Sequence, residues 1–125
     1  SKRYPVNQRT KLIKLAHNLE SQGAQGNFTD ALRDLTCPKL TFLNVSNLNL
    51  DDTELKVPNL TELICHTNNL TTVVGFSQLQ SLQLLDLENN KITGEQTLPK
   101  TLLVINLRGN PIACLDHIPQ VYNPL

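Results

Sequence analysis

The sequence has no excess of charge of either sign. Eleven lysines and arginines balance eleven aspartates and glutamates, for a formal net charge of zero. Affinity for phosphate comes from clustered cations, so this balance argues against a nucleic-acid or anionic-membrane partner. No apolar run approaches the ~20 residues needed to cross a bilayer, which excludes a membrane span. The three cysteines, Cys37, Cys65 and Cys114, make no C-x-x-C pair and no cysteine–histidine cluster at metal spacing. No metal or other cofactor is therefore expected, and the thiols read as small buried apolar residues of a reducing compartment. There is no G-x-S-x-G, phosphate-binding glycine loop or H-E-x-x-H, and His17, His66 and His117 have no nucleophile at a recognisable spacing. No catalytic residue is assigned, and the expectation is a protein that is not an enzyme. Methionine and tryptophan are absent, and the chain begins at Ser1, which fits a trimmed piece of something longer. Its 125 residues allow one domain with a useful core.

What the sequence does have is leucine and asparagine. The 24 leucines and 14 asparagines make up almost a third of the chain. Leucine excess alone would suggest a helical bundle, but asparagine is a poor helix former, so the two must be explained together.

An internal repeat explains both. The blocks Leu40-Thr-Phe-Leu43-Asn-Val45, Leu60-Thr-Glu-Leu63-Ile-Cys65, Leu82-Gln-Leu-Leu85-Asp-Leu87 and Leu102-Leu-Val-Ile105-Asn-Leu107 start 20, 22 and 20 residues apart. Each reaches an apolar eleventh place at Leu50, Leu70, Ile92 and Ile112, and three carry asparagine at the ninth, Asn68, Asn90 and Asn110. A degenerate earlier copy begins at Thr10, with Ile13, Leu15 and Asn18 at the fourth, sixth and ninth places. The longer gap after it holds Phe28–Leu35, whose apolar spacing is helical, with Thr29 as the expected N-cap. Between the later blocks, Pro38, Pro58 and Pro99 favour extended or 3₁₀ connections. The fourth and sixth places alternate with polar ones, so they face one side of a short strand that stacks in parallel on its neighbours.

The pattern L-x-x-L-x-L-x-x-N-x-L resembles the leucine-rich repeat family. The fold class implied is an α/β solenoid of about five coils, with a parallel concave sheet and an irregular or short-helical convex side. Coils start near residues 10, 40, 60, 82 and 102, after an N-terminal extension over 1–9 and before a partial C-terminal cap over 113–125. In this family the ninth-place amide bonds the backbone of adjacent coils, giving a ladder of Asn18, Asn68, Asn90 and Asn110. Leu48 interrupts it, with Asn47 and Asn49 as the available substitutes. The coil length and the Leu107-Arg-Gly-Asn110-Pro-Ile end resemble the short intracellular Sds22-like class, to which dynein light chain 1 of cilia belongs.

That resemblance also implies a binding surface on the third, fifth and seventh places, with Leu12, Lys14 and Ala16 contributed by the first coil. The partner-binding candidates are Phe42, Asn44, Glu62, Ile64, His66, Leu84, Asp86, Glu88, Val104, Asn106 and Arg108. The third place is apolar in most coils, and an apolar stripe facing solvent usually marks a protein interface. Phe42 is the expected hot spot, and a cross-strand polar pair of His66 with Asp86 or Glu88 is the ordinary reading of those residues. Asp51, Asp52 and Glu54 read as a solvated acidic turn, and the basic stretch from Lys2 to Lys14 as a solvated face or docking arm. The function expected is a non-catalytic scaffold that binds another protein or peptide within a cytoplasmic or ciliary multi-protein assembly. Two alternatives stand beside it. Four N-x-[ST] sequons, at Asn27, Asn44, Asn59 and Asn69, suit a secreted or cell-surface recognition receptor. A regulatory subunit or domain of an enzyme such as a phosphatase would need sequence beyond this chain.

Overall fold

A computed structural model describes residues 28–33, 35, 37–115 and 121–123. The elements in chain order are α1 (Phe28–Arg33), β1 (Phe42–Asn44), β2 (Glu62–Ile64), a 3₁₀ turn (Val74–Phe76), β3 (Leu84–Asp86), β4 (Gly94–Gln96), β5 (Val104–Asn106), β6 (Ile112–Leu115) and β7 (Val121–Asn123). Five strands form one parallel sheet in the order β1-β2-β3-β5-β7. The repeat register is kept across it: Phe42, Glu62, Leu84, Val104 and Val121 stand side by side, as do Leu43, Leu63, Leu85, Ile105 and Tyr122.

Each of the four repeat strands has a buried centre between two half-buried residues, which is the period-two alternation of a strand with one face in the core. The first, fourth and sixth places of the four blocks are all buried, and the eleventh is buried in three of them. They merge into one cluster that Leu55, Val57, Val73, Phe76, Leu79 and Leu98 close from the far side. Stacking is what makes this core, because a single coil has nothing to bury its inner side chains against. The same turn leads into every block: the first-place amide donates to the carbonyl three residues earlier, as in Leu40 to Cys37, Leu60 to Val57, Leu82 to Leu79 and Leu102 to Pro99. Three of those turns contain proline, and Leu79-Gln-Ser-Leu82 makes the same bond without one.

The ninth-place asparagines are buried and satisfy backbone groups of two coils at once. Asn90 Oδ1 accepts from the Leu70 amide at 3.1 Å, while its Nδ2 donates to the carbonyls of Cys65 at 3.1 Å and Leu87 at 3.0 Å. Asn110 repeats this with the Ile92 amide and the carbonyls of Leu87 and Leu107. The coil with Leu48 in that place is served from the next one: Asn68 Oδ1 accepts from the amides of both Leu48 and Leu50, and its Nδ2 donates to Val45 O. Asn47 and Asn49 are therefore not substitutes in the ladder. Both adopt positive φ, 56° and 55°, which shapes the turn, and Asn49 Oδ1 also accepts from Asn69 Nδ2 on the next coil, at the exposed surface and apart from the ladder. The ladder residue Asn18 and the whole coil from Thr10 lie outside the described residues.

Three other expectations change. Thr29 is the second residue of α1 and does not precede it; its buried hydroxyl accepts from the Asp51 amide at 2.9 Å, tying the helix to the next coil. Asp52 is not simply solvated: its carboxylate accepts from the amides of Thr71 and Thr72 and from the Thr71 hydroxyl. Part of the stretch assigned to a terminal cap holds β7, which adds a strand to the concave sheet, while β6 pairs with β4 in a second, two-stranded parallel sheet.

Candidate functional site: the concave sheet face

Three rows of side chains run across the strands on the face opposite the core. The third-place row is Phe42, Glu62, Leu84 and Val104; the fifth is Asn44, Ile64, Asp86 and Asn106. The seventh, just past the strands, is Ser46, His66, Glu88 and Arg108. Neighbours within a row stand ~4.8 Å apart, the spacing of parallel strands. All are half-buried except Arg108, which is exposed. The structure thus brings every partner-binding candidate named from the sequence onto one surface, while Leu12, Lys14 and Ala16 lie outside the described residues.

The fifth-place polar residues have a local task that sequence reasoning missed. Asn44 Oδ1 accepts from the Ser46 amide at 3.0 Å and from its hydroxyl at 2.7 Å; Asp86 Oδ1 accepts from the Glu88 amide, and Asn106 Oδ1 from the Arg108 amide, each at 3.1 Å. These bonds to the residue two ahead are Asx turns that hold the side chains and shape the strand exit. The signal was present in the Asn-x-Ser, Asp-x-Glu and Asn-x-Arg spacings. Ile64 has no polar atom to spend in this way, so β2 presents a purely apolar fifth place.

The residue after the seventh place turns the chain left-handed in each of the four described repeats: Asn47 at φ 56°, Thr67 at 58°, Asn89 at 56° and Gly109 at 76°. Asparagine and glycine suit this conformation, whereas a β-branched threonine is strained there by ~1–2 kcal/mol. Thr67 Oγ1 shares a hydrogen bond of 3.0 Å with His66 Nδ1. His66 therefore engages its own turn, and no bond joins it to Asp86 or Glu88. Beneath the face, Cys65 is buried and its thiol is pushed up to about 12, chiefly by burial, with Asn68 opposing and the Asp86 charge adding to the rise. It is inert packing, and Cys37 and Cys65 are both free thiols. Among the described residues no three His, Cys, Asp or Glu side chains are grouped to hold a metal, and no helix is long and apolar enough to cross a membrane.

Residues 81–100 match the family model described as Leucine Rich Repeat, and they hold β3, its ninth-place Asn90 and β4. The fold is a leucine-rich repeat solenoid. Over 68 residues the chain is 44% identical to a phospholipase A2 inhibitor from Gloydius brevicaudus siniticus, an alignment covering 49% of this chain and 20% of that protein. The solenoid thus spans about a fifth of the length of the curated relative it matches. No solved structure matches. A repeat of this kind supports a role in protein interaction.

Proposed function

We propose that the solenoid is a non-catalytic scaffold that docks a protein partner on its concave sheet. One observation carries this reading: the in-register sheet sets Phe42, Ile64, Leu84 and Val104 half-exposed on one rigid surface, where an apolar cluster gains by being covered. The sheet orders these side chains before any partner arrives, so docking costs little conformational entropy. The proposal includes membership of a larger assembly in the cytoplasm or cilium, as in the short intracellular repeat class. The free thiols of Cys37 and Cys65 support a reducing setting.

A second reading is favoured by the relative, which is named for inhibiting an enzyme. In it the same face covers an enzyme and blocks it, and the compartment is the one the sequons suit. Asn59, an exposed sequon asparagine, then carries a glycan.

The test is capture from native extract by the wild-type chain and by Phe42→Ala and Leu84→Ala variants whose circular dichroism is unchanged. Loss of the captured protein in both variants supports the docking face, and undiminished capture in both rules it out. Peptide mass before and after glycosidase treatment separates the settings: a shift at Asn59 supports the inhibitor's secreted setting, and no shift supports the reducing one.

A further inference from the structure

Although the whole chain is neutral, the described part of its concave face is not. Glu62, Asp86 and Glu88 lie on the two neighbouring strands β2 and β3 or just past them, and the one lysine or arginine among the described concave places is Arg108, on the coil of β5. Glu62 is placed where a carboxylate is least expected. It stands in the third-place row between Phe42 and Leu84, and Ile64 lies two residues on along the same face. It is half-buried, and neither a hydrogen bond nor an ion pair engages its carboxylate among the described residues. Removing water from a charge without giving it a partner is costly, so an apolar ligand laid over this stripe would be penalised at Glu62. A cation arriving with the ligand turns that penalty into a charge-assisted bond.

The other carboxylates extend the same field. Asp86 sits beside Ile64 and diagonally from Glu62, ~8 Å away by strand spacing and rise. One of its oxygens is engaged by the Glu88 amide, which leaves the second to a ligand. Glu88 follows two places later, without an ion pair to Arg108.

Resting on the docking reading above, we infer that the partner is a protein segment presenting a lysine or arginine flanked by apolar side chains. Its cation meets Glu62 and Asp86, while its apolar neighbours cover Phe42, Ile64 and Leu84.

The test is a random-peptide phage library panned on the immobilised full chain, followed by titration of synthetic copies of the selected peptides. Selected sequences carrying Lys or Arg between apolar residues are expected. Their affinity should fall roughly tenfold for Glu62→Gln, disappear for Glu62→Lys, and weaken as salt is raised. They should also lose affinity for Leu84→Ala. Peptides that require Leu84 but lack a cation, or bind Glu62→Gln unchanged, overturn the basic-segment inference and leave the docking face standing. Failure to select any peptide that depends on Leu84 or Phe42 overturns both.

Discussion

The two sides of the solenoid are held by different kinds of contact. On the concave side each coil repeats its neighbour: buried centre, half-buried flanks, the same register and the same left-handed eighth place. On the convex side the described coils share less, and only those of β3 and β5 carry matching strands, β4 and β6. The stretch after β1 runs without regular structure, that after β2 makes a 3₁₀ turn, and that after β3 makes a short strand paired out of step with β6. Its contacts are individual. The Leu55 amide donates to Gly75 O, Asp52 binds the Thr71 and Thr72 amides, and Gln96 Oε1 accepts from the Val73 amide and the Thr72 hydroxyl. The concave arc follows from a rule applied in every coil, while the convex wall is a set of separate fits.

Substitutions on each side test this contrast. Leu87→Ala, in the fully buried sixth-place row, should cost ~4 kcal/mol in urea unfolding, since it leaves a cavity shared by adjacent coils. Gly75→Ala should cost ~3 kcal/mol, because the added Cβ would stand 1.8 Å from Thr53 O, a backbone atom of the neighbouring coil. A loss under ~1 kcal/mol there would show that the convex wall yields and is not an individual fit. Asn90→Ala strands the buried Leu70 amide and leaves the Cys65 carbonyl with Asn68 as donor, and should lower stability by ~2 kcal/mol. The same substitution at exposed Asn89, outside the ladder, should cost less.

Alkali probes the inner row differently. The Cys65 thiol ionises near 9.0 when unfolded and near 12 when folded, so the unfolded state binds fewer protons between those values and stability falls as pH rises through them. The loss between pH 9 and pH 10 should be ~1 kcal/mol, and Cys65→Ala should remove that share of the slope. The smallest effect has the opposite sign. Thr67→Asn should stabilise by ~0.5 kcal/mol by relieving the left-handed threonine, bringing β2's turn into line with its neighbours.

The concave arc was legible because its causes are local and repeated. Leucine at the first, fourth and sixth places fixes both strand and register, and Leu43, Leu63, Leu85 and Ile105 align as the blocks do in sequence. The convex wall was not, since Gly75 against Thr53 or Gln96 against Val73 depends on which residues stacking brings together about twenty positions apart. Thr29 looked like a cap for the same reason: its bonding partner, Asp51, belongs to another coil. The strand Val121-Tyr-Asn was overlooked although it echoes Val104-Ile-Asn, because its spacing falls short of the repeat.

Periodicity in the sequence was enough to set the solenoid, its inner leucines and the ninth-place asparagines, because each such position answers to a rule that neighbouring coils share. Net charge was also countable from the sequence, and it came to zero. The repeat assigned Glu62, Asp86 and Glu88 to concave places, and stacking decided which residues stand beside them, bringing the three together over β2 and β3 among apolar neighbours. A sum over residues has no direction, whereas a folded face has one, and it is the face that a partner meets.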